Sequence, residues 1–405
     1  MEADADHGLH KERIHYLDWL KVLIVYGILV FHVSLVFTVG GWLVSNREKS
    51  VVLGAFAGFC FSWGIPAMFL IAGADARLGL RSQPVREFVR GRFLRLMVPF
   101  AAGLILLSPL QRFITSRTPP PPIDSFWTYY LAFFRDLRFD WTLQFVSRYW
   151  LHLWFLAYLF AISLACVPVL VWLRRPRGRQ LSSRLVAIAN HRGGLFLLAA
   201  PLCLSQLLLR QRFPVYQDWA DVATFTLVFL LGAVLIGDRR FDAAIRREIR
   251  WFLLVGVVAT LALGWLVFVA PSHLPEDARV PAGARAAFAL LWGLNIWCWL
   301  LAVLYLGIRW LDFPNPALTY LQKSVLPFYV IHHPVVLLVA SFVVTWNLGL
   351  WLKFALILVV AFGMTLGLYE FGVRRLRPMR LLFGLPQGRG KHESGSRARL
   401  RAPTG

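Results

Sequence analysis

In the stretch LDWLKVLIVYGILVFHVSLVF, residues 17 to 37, Asp18, Lys21 and His32 interrupt an apolar run long enough to cross a membrane as a helix. A charged group at mid-membrane costs roughly 2.5 to 3.5 kcal/mol, so ionisable residues here call for a reason. Between Lys21 and His32 an α-helix turns through about 1100°, roughly 20° beyond whole turns, so the two share a face about 16 Å apart along the axis. Asp18 lies one turn before Lys21 and can bridge to it. The stripe thus has a cation near one mouth and an imidazole deep in the membrane. Such a stripe suits a long substrate that is anionic at its inner end. In the bland alternative, Lys21 reaches the headgroups and His32 makes one interhelical hydrogen bond.

A second cluster is VLPFYVIHHPVVLLVASF, residues 325 to 342, where His332 and His333 stand side by side. Successive helical residues point about 100° apart, so at most one of them is expected to point readily at the same spot as His32. Pro334 removes a backbone hydrogen bond and kinks the helix, a common feature where a cavity opens. Arg92 and Arg95 stand one turn apart at the start of the third apolar run, where guanidinium groups suit phosphate; an arginine at this place also serves topology. His152 and Trp154 in WLHLWFL can meet an external substrate, or sit as interfacial residues.

These residues must be held by membrane-spanning helices. The chain of 405 residues is 58% hydrophobic and 15% aromatic with 16% charged residues and a mean hydropathy of +0.60. A soluble globule carries about a quarter charged residues. Ten apolar runs are read at approximately 17–39, 51–74, 94–110, 151–172, 193–209, 221–237, 251–270, 286–308, 324–345 and 351–373. Since lipid offers backbone groups no partners, each should be helical. The expected fold is an all-α polytopic membrane protein with about ten transmembrane helices. It would comprise a segment 1–16, a membrane domain 17–373 and a basic tail 374–405 read as disordered.

The net charge of +22 is mostly topology. If the first segment is cytoplasmic, segments on that side, including 75–95 read as a loop, hold 30 of the 43 Lys and Arg, and the opposite loops 10. This bias puts both termini in the cytoplasm and argues against nucleic acid as a partner. Residues 111–150 contain Thr118 and the run Pro119 to Pro122 and continue too rich in aromatics for a solvated loop. They read as an aromatic belt at the outer interface or as a wall for a bound substrate. Cys60, Cys166, Cys203 and Cys298 lie in apolar runs without metal or redox spacing. No metal or bound cofactor is expected.

Taken together, these segments resemble the membrane-bound acyltransferase-3 family. Asp18-Trp19-Leu20-Lys21 matches its D-x-L-R pattern with Lys in place of Arg, and His32 falls at the family's spacing. PAMFLIAG, residues 66–73, is similar to its F-F-x-x-S-G stretch, with Ala72 where Ser is common; RFLRLMVP, HLWFL and FYVIHHPVV follow in order. The likeness is greatest to a branch resembling a succinyltransferase that acts on periplasmic glucans. The resemblance implies transfer of an acetyl or succinyl group from cytoplasmic acyl-CoA, as co-substrate, to a carbohydrate hydroxyl at the outer face of a bacterial inner membrane. His32 would be the base and Lys21 a donor-side cation, with Arg92 and Arg95 at the CoA phosphates. One of His332 and His333 would serve the oxyanion. Lys lacks the planar fork of Arg, which weakens the expected grip on phosphate. Two other classes fit some of these residues: a proton-coupled transporter with Asp18, Lys21 and the histidines as a relay, and a haem or metal protein with histidine ligands. Vesicle uptake without acyl product would favour the transporter, and a visible absorption band or stoichiometric metal the second.

Overall fold

A computed structural model describes residues 14–117, 125–136, 149–268 and 281–385. The Pro119 to Pro122 run, most of the segment 1–16, and the tail from Gln387 onward lie outside the described residues. The described residues are helical and contain no strand. Eight helices are long and apolar enough to span a membrane: α1 His15–Leu35, α2 Val51–Ser82, α3 Val85–Thr115, α4 Leu151–Trp172, α7 Arg240–Phe268, α8 Ala282–Trp310, α9 Pro316–Val343 and α10 Leu350–Val373. Two of the ten apolar runs form shorter helices, α5 Gly194–Leu209 and α6 Trp219–Leu235.

The bundle is built around α9, 83% of whose apolar window is buried, whereas α7 and α10 bury 22% and turn most of their side chains outward. Helices α1, α10 and α3 pack on α9, and α2 packs on α1, α6 and α8. The α2–α6 crossing is closest at two glycines. A Cβ on Gly73 would lie 1.8 Å from the Phe229 carbonyl oxygen, and one on Gly232 2.0 Å from that of Leu70. Small residues allow backbones to approach in this way when lipid supplies no hydrophobic drive. Gly73 is the glycine of PAMFLIAG, so this part of the motif is explained by packing.

The expected loop 75–95 is mostly helix. α2 runs on through Asp75 to Ser82, and α3 begins at Val85. A π-helical turn, Phe93–Met97, then carries Arg95. Such turns re-aim side chains within a helix. Of the aromatic segment, Phe126–Arg135 is a helix with no buried residue, Trp127 being 68% exposed.

Candidate active site

Two groups of residues lie at opposite ends of α1. Near its start, Lys21 Nζ stands 2.7 Å from Asp75 Oδ2 and 3.7 Å from Asp18 Oδ1. Lys21 and Asp75 line a cavity of about 500 Å³, together with Arg92, Arg95 and Tyr329. Arg92 donates to the Ala72 carbonyl at 3.3 Å and lies over the Phe88 ring at 5.2 Å. Ala72 therefore contributes a backbone oxygen, a contact indifferent to the missing Ser hydroxyl. With two carboxylates about it, Lys21 is more than neutralised, so the positive charge in this cavity comes from Arg92 and Arg95.

At the other end, His32 occupies the last turn of α1. Four imidazoles meet there. The His32 ring centroid is 5.0 Å from that of His332 and 4.8 Å from that of His333. His152 stacks on His333 at 4.4 Å. The expectation that only one of the paired histidines approaches His32 is thus corrected. Side chains diverging by 100° cannot aim at one point, but they can flank a ring that lies between them. Trp42, from the connection between α1 and α2, closes the group, 5.5 Å from His32 and 5.3 Å from His333.

The hydrogen bonds assign the protons. Carbonyl oxygens only accept. His332 Nδ1–H therefore donates to Tyr329 O at 2.6 Å and to Phe328 O at 3.2 Å, leaving its Nε2 an acceptor. His32 Nδ1–H donates to Ile28 O at 3.0 Å and to His332 Nε2 at 3.1 Å. The lone pair of His32 is consequently on Nε2, oriented by a second imidazole, which is the arrangement a general base needs. Gln111 donates its amide to Leu107 O, so its oxygen accepts from His333 Nδ1–H. Both nitrogens of His332 are occupied and the proton of His333 is committed to Gln111. Neither neutral ring offers a free N–H, so the expected oxyanion role does not fall to them in these tautomers.

His152 is held by a defect in α9. Pro334 has no N–H for the carbonyl of Val330, and His152 Nε2–H supplies the missing donor at 3.1 Å. The Tyr329 hydroxyl in turn donates to the His152 carbonyl. Leu151, just before it, has φ +48°, a conformation that a branched residue adopts only when its surroundings impose it. His152 Nδ1 is buried without a hydrogen-bond partner among the described residues. Trp154 does not join the imidazoles: its ring packs on Tyr158, Tyr216 and Phe225.

The two groups are not continuous. The cavity is lined by Val25 and Tyr329 among others, and none of the four histidines lines it. Sequence reasoning missed Asp75, Trp42, Gln111 and Tyr329. An acidic residue beyond a span was a signal for Asp75, while the others are recognisable only once distant helices are brought together. It also gave no role to Lys353, which is 7% exposed. Its ammonium donates to Asn46 Oδ1 at 3.1 Å and Val344 O at 2.9 Å and so fixes the connection that carries Trp42. Among the described residues no group of three or more His, Cys, Asp or Glu is arranged to hold a metal ion.

Comparison with known proteins yields a family and relatives. The acyltransferase domain family matches residues 14–370. Glucans biosynthesis protein C from Escherichia coli O157:H7 is 24% identical over 378 residues, covering 90% of this chain and 92% of the relative. The protein of the same name from Escherichia coli K12 is 23% identical over the same shares. No solved structure matches the chain.

Proposed function

The chain belongs to the acyltransferase family and is a transferase of acyl groups other than aminoacyl groups. On that premise we propose that it moves an acetyl or succinyl group from cytoplasmic acyl-CoA to a hydroxyl of a carbohydrate, a glucan, on the far side of the membrane. The reading is supported by the name of its relatives and above all by one observation: hydrogen bonds leave the lone pair of His32 on Nε2, at the end of α1 opposite an arginine-lined cavity.

Arg92 and Arg95 hold the phosphates of the donor, and Asp75 with Asp18 keeps Lys21 in place. The pantetheine arm runs along α1 past Tyr329, whose ring swings aside to admit it. From Val25 to His32 is about 10 Å along the helix axis. The acceptor hydroxyl loses its proton to His32 Nε2 as its oxygen attacks the thioester carbon. The imidazolium is stabilised through Nδ1–H by Ile28 O and His332 Nε2. Collapse of the tetrahedral intermediate expels the CoA thiolate, which takes the proton back from His32, giving an ester and a free thiol. Trp42 makes no side-chain hydrogen bond among the described residues, and its indole N–H is the donor for the oxyanion.

The test is transfer by purified protein in lipid nanodiscs from labelled acetyl-CoA or succinyl-CoA to a glucan. His32→Ala is expected to lower kcat by about 10² to 10⁴ while insertion and thermal stability persist. Retention of full turnover by that variant would overturn the assignment of the base.

A further inference from the structure

A second site lies on the other side of the start of α4, between α2, α5, α6 and α8. Two adjoining cavities of about 220 and 260 Å³ share Arg210, Pro214 and Phe288. Their walls are aromatic. Phe61 lies 4.8 Å from Tyr216, and Phe288 stacks on Trp292 at 5.8 Å. Their floor is polar. Asp221, 5% exposed, pairs with Arg210 and accepts the Gln217 N–H at 2.9 Å. Gln217 has φ +72°, so the backbone is held in an unfavoured conformation that delivers this bond. The Tyr216 hydroxyl is buried and has no hydrogen-bond partner among the described residues.

A buried ion pair and an orphaned hydroxyl in an apolar bundle are costly, and a lipid chain would satisfy neither. A sugar ring fits both parts of the site. Its C–H faces lie on aromatic rings, and its hydroxyls reach the phenol, the guanidinium and the carboxylate. The site stands at the same end of the bundle as the imidazoles, because α6 starts and α5 ends there. Trp154, two residues beyond His152, has its ring 5.7 Å from that of Tyr216.

We propose that this groove is an accessory carbohydrate subsite, which holds a glycosyl unit of the acceptor chain distant from the one acylated at His32. The proposal rests on the reading of the acceptor as a carbohydrate polymer. It gives the protein a preference for chains over single sugars.

The experiment compares kcat/KM for a glucose oligosaccharide with that for a short glucoside, and measures the Kd of the unmodified oligosaccharide by calorimetry in nanodiscs. Tyr216→Phe removes only the hydroxyl, and Phe288→Leu only a ring; thermal melting checks that each variant is folded. Loss of one hydrogen bond predicts a fall of roughly three- to tenfold in the long-to-short ratio for Tyr216→Phe, with a matching rise in oligosaccharide Kd. An unchanged ratio and Kd in both folded variants would overturn the subsite, as for a groove that merely accommodates lipid. If no acyl transfer is found at all, the Kd decides alone. Oligosaccharide binding weakened by Tyr216→Phe keeps the subsite without the proposed reaction, and no binding to the parent protein removes it.

Discussion

At the scale of single residues, the imidazole at position 32 acts through its partners. The spacing of Lys21 and His32 and their shared stripe were legible in the sequence, because one helix carries both. What surrounds them was not. Asp75 reaches Lys21 from α2, and its carboxylate reverses the sign expected around that ammonium. Asp75→Asn is therefore expected to lower the KM for acyl-CoA severalfold, since removing a negative charge beside a phosphate site strengthens anion binding; initial rates against donor concentration check this at low salt. Trp42 is likewise visible only in three dimensions, as it arrives from a connection and lies against two histidines. Trp42→Phe keeps an aromatic ring but deletes its N–H. A fall in kcat of about tenfold or more, with acceptor KM little changed, is expected from loss of an oxyanion donor and is read from steady-state kinetics.

At the scale of elements, hydropathy located the apolar runs but not their ends. Residues 75–82 look like a loop because Asp75, Arg77 and Arg81 are charged, yet α2 continues through them. Arg77 and Arg81 donate to the carbonyls of Leu173 and Gly237, contacts that a sequence pattern cannot anticipate. The proline in IHHPVV was legible as a break, while the residue that compensates it, His152, lies 178 positions away along the chain from its acceptor Val330. Gly73 shows the reverse case, a motif residue whose reason is steric. Gly73→Ala places a methyl group inside a carbonyl contact and is expected to cost about 3 kcal/mol through overpacking. A lowered melting temperature and reduced folded yield, with no specific effect on donor KM, would be the signature.

At the scale of the whole molecule, a buried central helix is surrounded by a bundle whose outer helices turn most of their apolar side chains outward. The all-helical, multi-pass character followed from composition. The depth and continuity of the interior did not, because a helical wheel reports which residues share a face and not what obstructs the space beside them. The aligned stripe does not border one continuous chamber in the structure, since the arginine-lined cavity includes Tyr329 but none of the four histidines. This partition bears on energy conservation. Four neighbouring imidazoles joined by water to both compartments would be a proton short circuit, draining the gradient that powers the cell. With the phenol ring in place, proteoliposomes holding this protein should keep an imposed pH difference about as long as empty vesicles, whereas Tyr329→Ala should let it decay faster, as followed with an entrapped pH-sensitive dye. On the proposed reading the tyrosine would be an insulator as much as a gate, and transfer across two solvents would leave the voltage between them intact.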